Sequence, residues 1–134
     1  MTELPGVVTR RVLAVVPDLF FAVKIGAVAR ATGAAFDTVT LASALEGVAE
    51  APPALLIVDL HAPGDPPALV RALKADPRTR DVHVIGFYSH VETDLRRDAL
   101  AAGIDEALPR SAFVQRLPAL LAGDTRPSPK DDAE

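Results

Sequence analysis

Apolar residues along this chain come in short unbroken runs, separated by segments in which they recur every three or four positions. Val12–Val16 (VLAVV) and Leu55–Val58 (LLIV) are runs of the first kind, and Val82–Phe87 (VHVIGF) reads as a further strand. Runs of this length bounded by turn residues suit strands covered on both faces, the habit of parallel sheets. A weaker run at Phe36–Leu41 is broken by Asp37 and Thr40, as expected near a sheet edge, and Ile104–Leu108 supplies a fifth.

Helical spacing fills the gaps. Leu19–Thr32 places Phe21, Ile25, Val28 and Ala29 on one face, with Gly33 as a natural C-cap. Ser43, with Glu46 three residues on, has capping-box spacing and predicts a short helix ending at Pro52-Pro53. Asp65-Pro66-Pro67 offers an N-cap carboxylate and a proline at a first helical position. Leu69, Val70 and Leu73 form the inward stripe to about Ala75, and Asp76-Pro77 stops it. A fourth helix starts at Val91 or Asp94 and runs to Ala102, with Leu95, Ala99 and Ala102 inward, Arg96 and Arg97 outward, and Gly103 closing it. Ser111 caps a fifth helix to about Leu121, with a kink or short first segment expected at Pro118.

Five strand–helix units in alternation predict an α/β fold of three layers, α/β/α, around a doubly wound parallel sheet. The flavodoxin-like order 2-1-3-4-5 is the economical choice for five strands. The domain is expected over residues 11–122, after an irregular lead-in at 1–10. Gly123–Glu134 has no apolar side chain larger than proline or alanine and is expected to be disordered.

Composition narrows the function. A chain of 134 residues that is 49% hydrophobic suits one domain with its own core. Its apolar runs are too short to span a bilayer, and no secretory signal pattern opens it. The absence of cysteine removes disulfides, thiolate zinc sites and a cysteine nucleophile, and fits a cytoplasmic location. A net charge of −4 disfavours nonspecific nucleic-acid binding. There is no glycine-rich phosphate loop, no serine nucleophile elbow and no His-x-x-x-His spacing; His83 and His90 flank the fourth strand as structural or surface residues. No enzyme activity and no resident cofactor are expected.

The chemistry concentrates in Ala54–Gly64 (ALLIVDLHAPG), where Asp59 ends the third strand and Pro63-Gly64 turns the chain just beyond it. Open α/β sheets place their sites at these carboxyl ends. The same stretch spells D-x-H-x-x-G, whose histidine ligates cobalt in cobalamin-binding domains. In that family, however, the motif follows the first strand and a Gly-Gly comes later; here no Gly-Gly occurs, and His61 reads as a loop residue.

With five βα units, an aspartate closing the third strand and a Pro-Gly turn after it, residues 11–121 resemble the CheY-like receiver domain of bacterial response regulators. The resemblance implies that Asp59 is the phosphoacceptor position, modified by a histidine kinase with the help of a divalent cation. It also assigns Tyr88 or Ser89 to the family's hydroxyl and Arg110 to its lysine as phosphate contacts. Departures are plain. The two acidic residues that hold Mg²⁺ in the family are Val16 and Pro17 here, with Asp18 one residue late; Ser111 follows Arg110 in place of proline; and Ala107 stands where the switch aromatic belongs. Mg²⁺ prefers oxygen ligands in octahedral geometry, so no metal site is expected unless a shifted loop joins Asp18 to Asp59. The first reading is therefore a stand-alone, degenerate receiver that binds a histidine kinase or another signalling protein through its helix 4–strand 5–helix 5 face, with a homodimer admitted. A genuine phosphoacceptor is the second. A small flavodoxin-like ligand-binding protein is the third. In the bland alternative, Arg110 forms a salt bridge with Asp59 that merely fixes the loop.

Overall fold

The apolar runs become strands, and alternate side chains of each leave the sheet on opposite faces. The structure is a computed structural model and describes residues 10–89 and 93–124. Among these, five strands and five helices alternate: β1 (Arg11–Val15), α1 (Leu19–Thr32), β2 (Ala35–Thr38), α2 (Leu41–Glu50), β3 (Leu55–Asp59), α3 (Pro66–Ala75), β4 (His83–Tyr88), α4 (Thr93–Ala102), β5 (Glu106–Pro109) and α5 (Arg110–Ala122). The strands form one sheet in the order β2-β1-β3-β4-β5, each neighbouring pair parallel. This is the flavodoxin-like arrangement expected from the sequence. Both edge strands, β2 and β5, are only four residues long.

Two cores follow from the alternation. Val12, Ala14, Leu55, Ile57, Ile85 and Phe87 meet Phe21, Ile25 and Ala29 of α1 and Phe113, Leu117 and Leu120 of α5. Leu13, Val15, Leu56, Val58, Val84 and Tyr88 meet Ala44 and Val48 of α2, Val70 and Leu73 of α3, and Ala99 of α4. The first core holds three rings: Phe87 stacks on Phe113 with centroids 4.9 Å apart, and Phe21 meets Phe87 edge-on at 5.1 Å. Such geometries set the positive ring edge or an offset face against the negative ring face.

Several element ends differ from expectation. The β2 ladder stops at Thr38, short of the expected Leu41, because Thr40 caps α2: its Oγ1 accepts from the Ser43 N–H at 3.1 Å. Ser43 is thus the capped residue and not the cap, and Glu46 pairs with Arg78 at 3.6 Å. Starting at Leu41 puts that side chain inside the helix and against the core, which a start at Ser43 would forfeit. Strand β5 starts at Glu106 and not Ile104, because Ile104 belongs to the close of α4. The Gly103 and Ile104 N–H groups return to Leu100 and Ala99 carbonyls, with Gly103 at φ 103°. That is a Schellman motif, and it uses Ile104's backbone before a strand can. Helix α5 has Pro109 at its N-cap position, so Ser111 does not cap it. Nor does Pro118 break it: the proline is exposed, on the side where a freed carbonyl meets water, and the helix continues to Ala122. Strands β1 and β4 shift by one residue, within the usual ambiguity of element ends. The lead-in up to Thr9, a start of α4 at Val91, and the tail beyond Asp124 lie outside the described residues.

Two glycines give opposite stability predictions. A methyl at Gly86 in β4 would lie 2.9 Å from both Ile104 Cδ1 and Leu60 Cγ. Gly86→Ala is expected to lose about 1–3 kcal/mol by overpacking. At Gly47 in α2 the added carbon would meet Val39 at an ordinary 3.7 Å. Gly47→Ala is expected to gain about 0.5–1 kcal/mol from helix propensity. Urea unfolding of the two variants against the parent checks both signs.

Candidate functional site

The carboxyl ends of β1, β3, β4 and β5 bring the sequence-predicted residues to one edge of the sheet. Asp59 ends β3, half-buried, directly beside Phe87 of β4. Its Oδ1 accepts from the His61 N–H at 2.8 Å, and its carbonyl accepts from the Ala62 N–H at 3.0 Å. These bonds make an Asx-type turn and fix the carboxylate at the start of the loop. Gly64 closes that loop with φ 109°, and a β-carbon there would lie 2.6 Å from Leu41 Cδ2. Pro63-Gly64 therefore turns where only glycine fits.

His61 ties this loop to the next one. Its Nε2 accepts from the Ser89 N–H at 2.9 Å. That role needs an unprotonated Nε2, so the ring carries its proton on Nδ1, an assignment made from the hydrogen-bond geometry. Ser89 is thereby held close to the Asp59 loop through its backbone. Tyr88 is different. Only 5% exposed, it packs with α2, α3 and α4 in the second core.

Asp18 and Arg110 meet each other. Asp18 caps α1, its Oδ1 accepting from Phe20 N–H at 3.0 Å and Phe21 N–H at 3.2 Å. Its Oδ2 lies 3.9 Å from Arg110 Nη2. The Arg110 guanidinium carbon sits 3.9 Å over the Phe21 ring and 5.7 Å from the Phe87 ring. A planar guanidinium stacks on an aromatic face in a way the ammonium of lysine does not. Among the described residues no ion pair joins Arg110 to Asp59, so the simple bridge considered from sequence gives way to a bridge with Asp18. Val16 is buried in the first core and Ala107 in the second. Among the described residues no group of three or more His, Cys, Asp or Glu side chains gathers in a way that could hold a metal ion. At this edge Val16 and Pro17 offer no side-chain oxygen, and Asp18 spends one oxygen on the α1 cap.

A clear electrostatic perturbation lies elsewhere. Arg78's guanidinium and backbone N–H hold the Asp76 carboxyl below the ordinary carboxylate range. That pair fixes the turn after α3 and has no part in the Asp59 edge.

Two clefts flank the Asp59 loop. One, of about 500 Å³, is lined by Val15, Val16, Pro17, Leu41, Ala62 and Pro63 among others, none of them charged. The second, about 450 Å³, lies towards α4 and includes His61, Asp65, Leu95 and Asp98. Beside the first cleft, α1 exposes Leu19 (77%), Phe20 (90%) and Val23 (72%). Sequence reasoning passed over these three. The signal was present: the first turn of α1 is apolar all round, where a surface helix ordinarily has a polar face.

The Asp18 cap is testable. Asp18→Ala is expected to cost about 1 kcal/mol, the usual value of a lost N-cap. Asp18→Asn keeps an accepting oxygen and is expected to retain most of that stability. Thermal melts of both variants read the difference.

Neither a protein-family model nor a curated protein matches this sequence. Solved structures do. The receiver domain of a signal transduction histidine kinase from Syntrophus aciditrophicus has a TM-score of 0.73 at 23% identity, covering 90% of this chain and 96% of that one. The receiver domain of a sensor histidine kinase from Pseudomonas aeruginosa, with magnesium coordinated in its active-site cleft, has a TM-score of 0.73 at 20% identity over 87% of this chain and 100% of that one. A sensor protein from Polaromonas has a TM-score of 0.68 at 28% identity, covering 84% and 95%. The order of the sheet, the helices on each face and these likenesses agree: the chain has the CheY-like fold of response regulator receiver domains.

Proposed function

We propose that this chain is a degenerate receiver of a two-component or phosphorelay system, a binding module and not an enzyme, which acts by protein contact without efficient Mg²⁺-dependent phosphorylation of Asp59. The observation that carries this reading is the commitment of Asp18 and Arg110 to each other and to α1. In phosphoryl transfer to a carboxylate, the attacking oxygen and the phosphoryl oxygens are all negative. Cations must offset that charge. Here the carboxylate nearest the family's cation-holding position spends one oxygen on a helix cap. The one arginine in the family's lysine position lies on a phenylalanine ring. Val16 and Pro17 offer no side-chain oxygen at all. Partner contact is assigned to the α4–β5–α5 face, where Arg96, Arg97 and Leu100 are exposed; the partner is a histidine kinase or another signalling protein.

A second reading, in which a histidine kinase phosphorylates Asp59, is favoured by the position of that carboxylate at the end of β3 with Ser89 and Arg110 on neighbouring strand ends. Intact mass separates the two. After incubation with acetyl phosphate and Mg²⁺, the parent chain is expected to keep its mass while a conventional receiver gains one phosphoryl group. A phosphoryl gain in the parent that Asp59→Asn abolishes would overturn the degenerate reading.

A further inference from the structure

A side-chain bond ties the Asp59 loop to the end of β4: His61 Nε2 accepts from the Ser89 backbone N–H at 2.9 Å. The His61 backbone is itself anchored, because its own N–H donates to Asp59 Oδ1 at 2.8 Å. Any rearrangement is therefore left to the ring, which is exposed. That ring also lies on the wall of the second cleft, together with Asp65 at the start of α3 and Asp98 of α4. Asp65 spends Oδ1 on the Ala68 N–H. Asp98 has no ion-pair partner among the described residues. No lysine or arginine lines this cleft. His61 thus stands between a backbone donor on one side and two carboxylates on the other.

We propose that His61 is a proton-operated latch that exchanges partners. Neutral, it holds the end of β4; protonated, it releases Ser89 and turns to the carboxylates of the cleft, Asp98 of α4 foremost. The step is the uptake of one proton from solvent at Nε2. That atom accepts only through its lone pair, so a proton there makes it a donor facing another donor, the Ser89 N–H. Contact becomes repulsion, and the exposed ring has solvent to move through. The charged groups around it all favour the imidazolium. They are Asp59 across the turn, Asp65 from the start of α3 and Asp98 from α4. From β4 comes only the phenol of Tyr88, which is buried in the second core. Histidine is the side chain whose charge ordinarily changes between about pH 5 and pH 8. A loop tied to β4 at the upper end of that range is then tied to α4 at the lower end. The device needs neither phosphorylation of Asp59 nor a metal ion.

Two-dimensional NMR of the full chain, titrated between about pH 8 and pH 5, tests the latch. The Ser89 amide proton is expected to move upfield, as a lost hydrogen bond requires, with the same midpoint as the His61 ring signals. The amides of Leu95 and Asp98 are expected to shift with that midpoint too. His61→Gln supplies a carbonyl oxygen that accepts at every pH, so Ser89 is expected to stay downfield throughout. His61→Ala has no acceptor and is expected to show the low-pH Ser89 position already at pH 8. Asp98→Asn removes the acid-state partner and is expected to lower the His61 midpoint. His61 and Asp98 are both exposed, so thermal melts of the three variants are expected to match the parent. A Ser89 amide that stays still while His61 titrates overturns the proposal. So does a shift that persists in His61→Gln, which would belong to another group such as His90, next along the chain. A His61 midpoint that Asp98→Asn leaves unchanged overturns it as well.

Discussion

Burial of both faces of β1, β3 and β4 is the constraint on which the remaining structure depends. A strand that alternates its side chains between two apolar surroundings must find helices above and below it. The unbroken runs Val12–Val15 and Leu55–Val58 leave no polar face for water to occupy. From that requirement follow the division of helices into α1 with α5 on one face and α2, α3 and α4 on the other, the two cores, and the crossover order that brings β1 next to β3. The Asp59 edge is then a by-product of topology: parallel strands end together, and whatever residue follows each run is delivered to the same place.

What those delivered residues do depends on local competition. Asp18 could in principle face Asp59, but two unsatisfied N–H groups at the start of α1 lie closer and hold one of its oxygens. Arg110 could face an anion, but the Phe21 ring beneath it and Asp18 beside it already hold its guanidinium. Phe21 in turn is locked by Phe87 and Phe113. Helix capping and aromatic packing thus set where these side chains lie.

The fold was legible because apolar runs and helix spacing are signals of burial, and burial decides this architecture. Where sequence reading missed, the cause was a choice between near-equal local options. Thr40 and Ser43 are both good caps, and only the packing of Leu41 against the core selects Thr40. Ile104 looks like a strand residue, yet its N–H is needed to close α4. At the site, the position of Asp59 was readable from one run and one turn. The partner of Arg110 was not, because whether a guanidinium meets Asp59, Asp18 or a ring is set by a few ångströms of loop that no residue pattern encodes. Nor does spacing alone reveal that His61 holds Ser89, since that bond is made to a backbone N–H, which every residue but proline carries.

The short edge strands bear on a different property, how the molecule meets its own kind in crowded solution. An open sheet edge is a row of unpaired backbone groups that another strand can extend indefinitely. Here β2 offers four residues with Asp37 among them, and β5 offers four and ends in Pro109, which has no N–H to give. Neither edge is a template long enough to grow a ladder. Short, interrupted edges of this kind discourage open-ended strand addition.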